Sequence, residues 1–241
     1  MPARSAAEGP DRHDALPRQA RGAVVLKGIH DVSAPLGPSL PAWPGQEGLR
    51  RRLVLDLARG DPATVSDLCL GAHTGTHVDA PSHFIPGGGT IESLLIDVLV
   101  GPAHVVDLSI LPDRVCAADL ELARIPAKTE RLLVRTRNSG WTRDHEFRER
   151  FVALDASAAD WCVEQGIRLI GIDYLSVEAF GSESEGNPVH HRLLAARIVI
   201  LEGLELAGIE PGPYQLLALP ILAAAVEAAP ARAFLIDDGA P

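Results

Sequence analysis

Cysteine, methionine, aromatic side chains and positive charge are all scarce in this 241-residue chain. The three cysteines, Cys69, Cys116 and Cys162, are odd in number and far apart, with no CxxC pair. That excludes a disulfide framework and a zinc-ribbon site, and it fits a reducing cytoplasm. Lysine and arginine number 22 against 32 aspartates and glutamates, a net charge of −10. A surface of that sign repels phosphate backbones and anionic lipid, so neither nucleic acid nor a membrane is an expected partner. Long apolar runs are missing too. The longest, Leu216 to Val226, contains Pro220 and falls short of the roughly 20 residues that cross a bilayer. No stretch reads as a targeting signal, and residues 1–22, rich in Arg, Asp, Glu and Pro, read as a disordered tail. No internal repeat or Ser/Gly linker divides the remainder, residues 23–241, which is expected to form one domain.

What is present is an ordinary apolar content of 46%. A chain of this size buries roughly 70% of its unfolded surface and needs no structural metal to fold. Ala23–Val32, Leu53–Leu57, Val65–Leu70, Val98–Leu108, Arg131–Thr136, Arg168–Ile172, Arg197–Leu201, Tyr214–Leu219 and Arg232–Ile236 read as strands. Ala117–Ala123, Leu154–Gln165 (stopped by Gly166) and His190–Ala196 read as helices. Many strands with helices between them predict a single mixed α/β domain. Residues 34–48 form an irregular Pro/Gly-rich loop, and 70–89, dense in Gly, His, Asp and Pro, has the composition of a functional loop.

Within that loop lies His73-Thr74-Gly75-Thr76-His77-Val78-Asp79-Ala80-Pro81-Ser82-His83-Phe84. Three β-branched residues, Gly75 and Pro81 argue against a helix. In extended chain, His73, His77, Asp79 and His83 share parity and face one side. His73 and His77 would stand about 13 Å apart in a straight strand, so a bend at Gly75 is needed to bring both to one ion. Neutral imidazoles and a carboxylate are the usual ligands of zinc, manganese or iron, and His73, His77 and Asp79 supply the three that a catalytic site requires. The alternative, polar loop residues bonded to nearby backbone, is disfavoured by three histidines and an aspartate in eleven positions.

A second cluster, His190-His191 followed by Glu202, ends the apolar strand RIVILE. A buried carboxylate there needs a cation or hydrogen bonds; one that emerges into solvent does not, and spacing leaves both open. Cys69 shares the parity of His73, but a buried inert thiol is the expectation.

The run HTGTHVDAPSHF, with WPG before it and GIDYLSVE, HHRLL, ILEGL and YQLLALP after it, resembles the cyclase family of metal-dependent hydrolases, which includes arylformamidases and isatin hydrolases. The similarity runs from about Val24 to the C-terminus. It implies a swivelling β/β/α fold. It also implies that His73, His77 and Asp79 bind a metal, with His190 and Glu202 as further ligands, that Asp79 can bridge where a second ion is present, and that His83 moves protons. The resemblance further implies zinc or manganese, one or two ions per chain, and a homodimer or higher oligomer. The implied substrate is a small molecule with an amide-type C–N bond: N-formylkynurenine, or alternatively a cyclic amide of the isatin kind. A non-catalytic metal-binding protein is the rival from another class. Trp43 and Phe84 are candidate contacts for an aromatic substrate, with packing as the alternative. The insert Arg50–Thr64 and the charged stretch Arg143–Arg150 are candidate modifiers of the substrate pocket.

Overall fold

The computed structural model describes residues 28–144 and 146–238. The expected tail 1–22 and the first part of the strand expected at 23–32 lie outside these residues. Twelve strands occur among them: β1 (Ile29–Asp31), β2 (Arg50–Leu55), β3 (Val65–Cys69), β4 (His77–Asp79), β5 (Val100–Asp107), β6 (Arg114–Val115), β7 (Arg131–Arg135), β8 (Ala153–Leu154), β9 (Leu169–Ile172), β10 (Val199–Glu202), β11 (Gly212–Pro220) and β12 (Ala228–Asp237). Four α-helices accompany them: α1 (Ile96–Leu99), α2 (Ala117–Leu122), α3 (Ala156–Glu164) and α4 (Pro188–Ala195).

Seven strands close on themselves in the order β12-β11-β5-β7-β9-β10-β4, with β4 pairing back onto β12 and β1 added at the edge of β12. The neighbours β5, β7, β9 and β10 are parallel. A parallel pair needs a crossover between its strands, and α2, α3 and α4 occupy the three connections. Alternation then sorts the side chains. Val105, Leu133, Leu169, Leu201, Leu216 and Leu235 fill the barrel. Their neighbours Val106, Leu132, Val134, Ile170, Ile172 and Ile200 point outward against Leu120, Cys162, Leu193 and Leu194 of the helices.

This alternation places the motif. In the antiparallel pairing of β10 with β4, Ile200 lies opposite Asp79 and Glu202 opposite His77. Directly paired residues share a face, so His77, Asp79 and Glu202 stand with Ile200 on the outer wall, where α4 packs. Val78 and Leu201 point into the barrel. A third apolar cluster, Leu40, Trp141, Phe151, Tyr174 and Leu175 with Trp43 and Phe147 against it, builds the ground beside that wall.

Several boundaries differ from the sequence reading. Leu57 opens a 3-10 turn instead of ending a strand, α1 occupies the start of the strand expected at 98–108, and α4 begins at Pro188 rather than His190. Proline suits the first helical position because no partner is needed for its missing N–H. The thiol expected to be buried, Cys69, is exposed. It ends β3, which pairs only with β2, so no second layer covers it.

Candidate metal centre

Two glycines set the loop that carries His73 and His77. Gly75 has φ of +68°, the left-handed region open to glycine at low cost. Its carbonyl accepts a hydrogen bond from His77 Nδ1 at 2.9 Å. Gly203, directly after Glu202, has φ of +69°, and a Cβ there would stand 2.2 Å from the Gly75 carbonyl oxygen. Thr76 Oγ1 locks the two segments together, donating to the Gly203 carbonyl at 2.6 Å and accepting from the Ala34 N–H at 2.7 Å. The bend expected at Gly75 is therefore present, and the end of β10 lies directly against it.

All six sequence-predicted site residues converge here. Asp79 and His77 are fully buried, and Glu202 is 3% exposed, which settles the choice left open for that carboxylate. His77 Nε2 lies 3.1 Å from Glu202 Oε2 and 3.5 Å from Asp79 Oδ1; His73 Nδ1 lies 3.0 Å from the same Asp79 oxygen, and His190 Nε2 lies 3.5 Å from Glu202 Oε1. Two donors about 2.1 Å from one ion at a tetrahedral angle stand about 3.4 Å apart, so these spacings, which are also those of imidazole–carboxylate ion pairs, fit a ligand set. Two groups, His73–Asp79–His83 and His77–Asp79–Glu202, each place ligand atoms within 4.8 Å of one another, and both use Asp79. His83 thus sits in the first group, its ring centroid 4.2 Å from that of His73, a position open to ligation as well as proton transfer.

The donor chemistry fits a divalent cation. Both Asp79 oxygens and His77 Nε2 are buried without a hydrogen bond, a costly state for a carboxylate unless a cation meets it. With protein atoms alone, the histidines carry that burden. Burial would lower the His77 pKa, but Glu202 and Asp79 outweigh it and push it up to about 9. Burial is likewise outweighed at His190, pushed up to about 10 by Glu178 and Glu202. Asp79 is held below the usual carboxylate range, the positive charge of His73 and His77 overcoming burial. At His83 burial dominates and lowers the pKa.

Beside the cluster opens a cleft lined by Trp43, Gln46, His73, His83, Phe84, Leu175, Ser176, Glu178, Ala179, Glu183, Asn187, His190 and Glu202. Phe84 stacks on His190 with centroids 4.6 Å apart, and Trp43 packs edge-on against Phe147 at 5.0 Å. The two candidate aromatic contacts therefore line the cleft and pack at once. No described residue of the insert 50–64 lines it, because that segment folds into the β2–β3 hairpin. Among the described residues of the stretch 143–150, none lines it either, and Phe147 packs against Trp43, which does. Sequence reasoning missed Glu178, whose carboxylate meets His190 Nδ1 at 2.6 Å, and Glu227, 3.5 Å from His73 Nε2. Neither has a local spacing signal, although Glu178 closes the run GIDYLSVE.

Comparison with known proteins places this architecture. A family model described as "Putative cyclase" matches residues 30–179. The chain is 37% identical over 233 residues to cyclase-like protein 1 of Arabidopsis thaliana, covering 91% of this chain and 89% of that protein. It is 36% identical over 205 residues to kynurenine formamidase of Geobacillus thermodenitrificans, covering 85% and 95%. A solved structure titled as a potential metal-dependent hydrolase with cyclase activity superposes with a TM-score of 0.76 at 31% identity, covering 88% of this chain and 98% of the other. The chain belongs to the cyclase family, and its barrel with outer helices is that family's mixed α/β fold. Among the described residues no helix is long and apolar enough to cross a membrane.

Proposed function

We propose that this cyclase-family hydrolase cleaves the C–N bond of an aryl formamide, N-formylkynurenine in the first instance, releasing the arylamine and formate. His73, His77, Asp79, His190 and Glu202 would hold one or two zinc or manganese ions. The observation that carries the reading is Asp79: a fully buried carboxylate with no hydrogen bond, shared by two ligand groups beside a cleft walled by Trp43 and Phe84. The similarity to a kynurenine formamidase supports the substrate class.

When bound, a divalent ion supplies Lewis acidity toward a carbonyl and makes water a better acid. The chain's own residues do the rest. Phe84 and Trp43 offer ring faces to the aryl group. His77 donates Nδ1–H to the Gly75 carbonyl, which leaves Nε2, facing Glu202 and Asp79, as the nitrogen that would meet an ion. His83 stands over the His73–Asp79 edge, and among the described residues no hydrogen bond engages its ring. It accepts a proton from the attacking water and returns it to the departing nitrogen, so that water and formamide become amine and formic acid. The chain is also proposed to work in a reducing cytoplasm, its cysteines unpaired, as a homodimer or larger assembly.

Parallel assays on N-formylkynurenine and isatin test the substrate. Faster formamide turnover is expected; faster isatin opening would move the protein to the cyclic-amide class.

A further inference from the structure

We infer that Glu178 is a positioning residue that fixes the tautomer and aim of His190, so that Nε2 is the nitrogen presented to the cluster. The inference rests on the metal-hydrolase reading of the site.

Glu178 is 3% exposed and lies on the loop between β9 and α4. Its carboxylate accepts three hydrogen bonds: from His190 Nδ1 at 2.6 Å, the His190 N–H at 3.3 Å and the Val189 N–H at 2.8 Å. The last two are backbone donors in the first turn of α4, which no preceding carbonyl can meet. Asn187, the cap position, makes no side-chain cap bond, so Glu178 caps the helix from a distance. An ionised carboxylate only accepts. His190 Nδ1 therefore carries a hydrogen, and Nε2, 3.5 Å from Glu202 Oε1, is the nitrogen left to meet an ion.

The other histidines show the same logic in graded form. His77 Nδ1 is held by the Gly75 carbonyl at 2.9 Å. His73 Nε2 faces Glu227 at 3.5 Å, and the Glu227 side chain is 43% exposed, a looser restraint. The His83 ring has no such acceptor among the described residues. Oriented acceptors thus set His73, His77 and His190 apart from His83, whose ring nitrogens are left to exchange protons. Groups that orient a metal-binding imidazole typically contribute 10- to 100-fold in metal affinity.

The test uses the full chain stripped with a chelator and titrated with Zn²⁺, alongside long-range ¹⁵N correlation spectra of the histidine rings in the zinc-loaded protein. Glu178→Met should weaken zinc binding by about 10- to 100-fold and replace the single Nδ1–H tautomer of His190 with a mixture. Glu178→Gln keeps an acceptor and should restore the tautomer and most of the affinity. Glu227→Gln should change affinity less than Glu178→Met does. Leu193→Ala, which loosens α4 from the core without touching His190, should lower Tm and leave affinity within about twofold. If Glu178→Met behaves like Leu193→Ala, with Tm lowered but affinity and tautomer unchanged, Glu178 is only a helix cap and the inference fails. Failure of the wild type itself to bind zinc or manganese would overturn the hydrolase reading instead, and ring spectra of the metal-free protein would still show whether Glu178 holds the His190 Nδ1–H.

Discussion

Replacing Gly203 by alanine separates the backbone clamp from the chemistry it supports. Two costs add. The φ of +69° is unfavourable for alanine by about 1–2 kcal/mol. The new Cβ would also stand 2.2 Å from the Gly75 carbonyl oxygen, where a carbon and an oxygen need more than 3 Å, so the backbone must yield by about 1 Å at an overpacking cost of about 1–3 kcal/mol. Gly203→Ala should therefore destabilise the protein by about 2–5 kcal/mol. That same carbonyl aims His77, so zinc affinity should fall as well. Gly208 is the internal control. It has φ of +78° but nothing within 4 Å of an added Cβ, so Gly208→Ala should show only the conformational cost, with zinc affinity unchanged. Urea denaturation and zinc titration of the two variants provide the comparison. If Gly203→Ala matches Gly208→Ala within about 0.5 kcal/mol, near the scatter of ordinary surface substitutions, and keeps its zinc, the clamp does not hold the site.

Other perturbations reach the cluster and the fold separately. Glu202→Gln should lower metal content, because it removes the buried charge facing both His77 and His190; normal metal content and rate would remove Glu202 from the ligand set. His83→Ala should retain metal while kcat falls by about 10²- to 10⁴-fold, the usual contribution of a positioned acid–base group; metal loss on the scale of Asp79→Ala would make His83 a ligand. Away from the site, the hydrogen bond from Arg135 holds the Asp107 pKa down to about 2 from 3.8. A depressed carboxylate stabilises above its unfolded pKa and loses that contribution as pH falls through the folded value. Asp107 is a third exposed, so solvent screening reduces the contribution to about 1 kcal/mol. Asp107→Asn should be less stable than wild type by that amount at neutral pH, the gap closing between about pH 4 and 2; a gap that persists at pH 2 would show that the difference is not ionic.

Much of the site was legible because its signals are local. The shared parity of His77 and Asp79 follows from period-two geometry, and the β-branched Thr74, Thr76 and Val78 correctly weighed against a helix. The bend at Gly75 followed from the reach needed between His73 and His77. The fate of Glu202 was not legible in the same way. Its burial depends on pairing with His77 across β10 and β4, and on the closure of β4 onto β12, contacts far apart in sequence. Glu178 is invisible for a similar reason: it is a lone loop carboxylate twelve residues before His190, and only the path from β9 to α4 folds it under that ring. Cys69 shows the converse error. Free cysteine is usually buried, but the hairpin of β2 and β3 stands off the barrel, and Val54, Val65 and Leu68 on it are exposed along with the thiol. Light scattering tests the proposed dimer or larger assembly; a monomeric mass would contradict it.

Hydrolysis is proposed to depend on an ion held by Asp79 and the histidines around it. The direct measurement is elemental analysis of the purified chain together with N-formylkynurenine hydrolysis, before and after stripping with a chelator and after return of Zn²⁺ or Mn²⁺. One or two ions per chain should be found, activity should disappear with them, and one of the two metals should restore it. Metal-free protein with full activity would contradict the account.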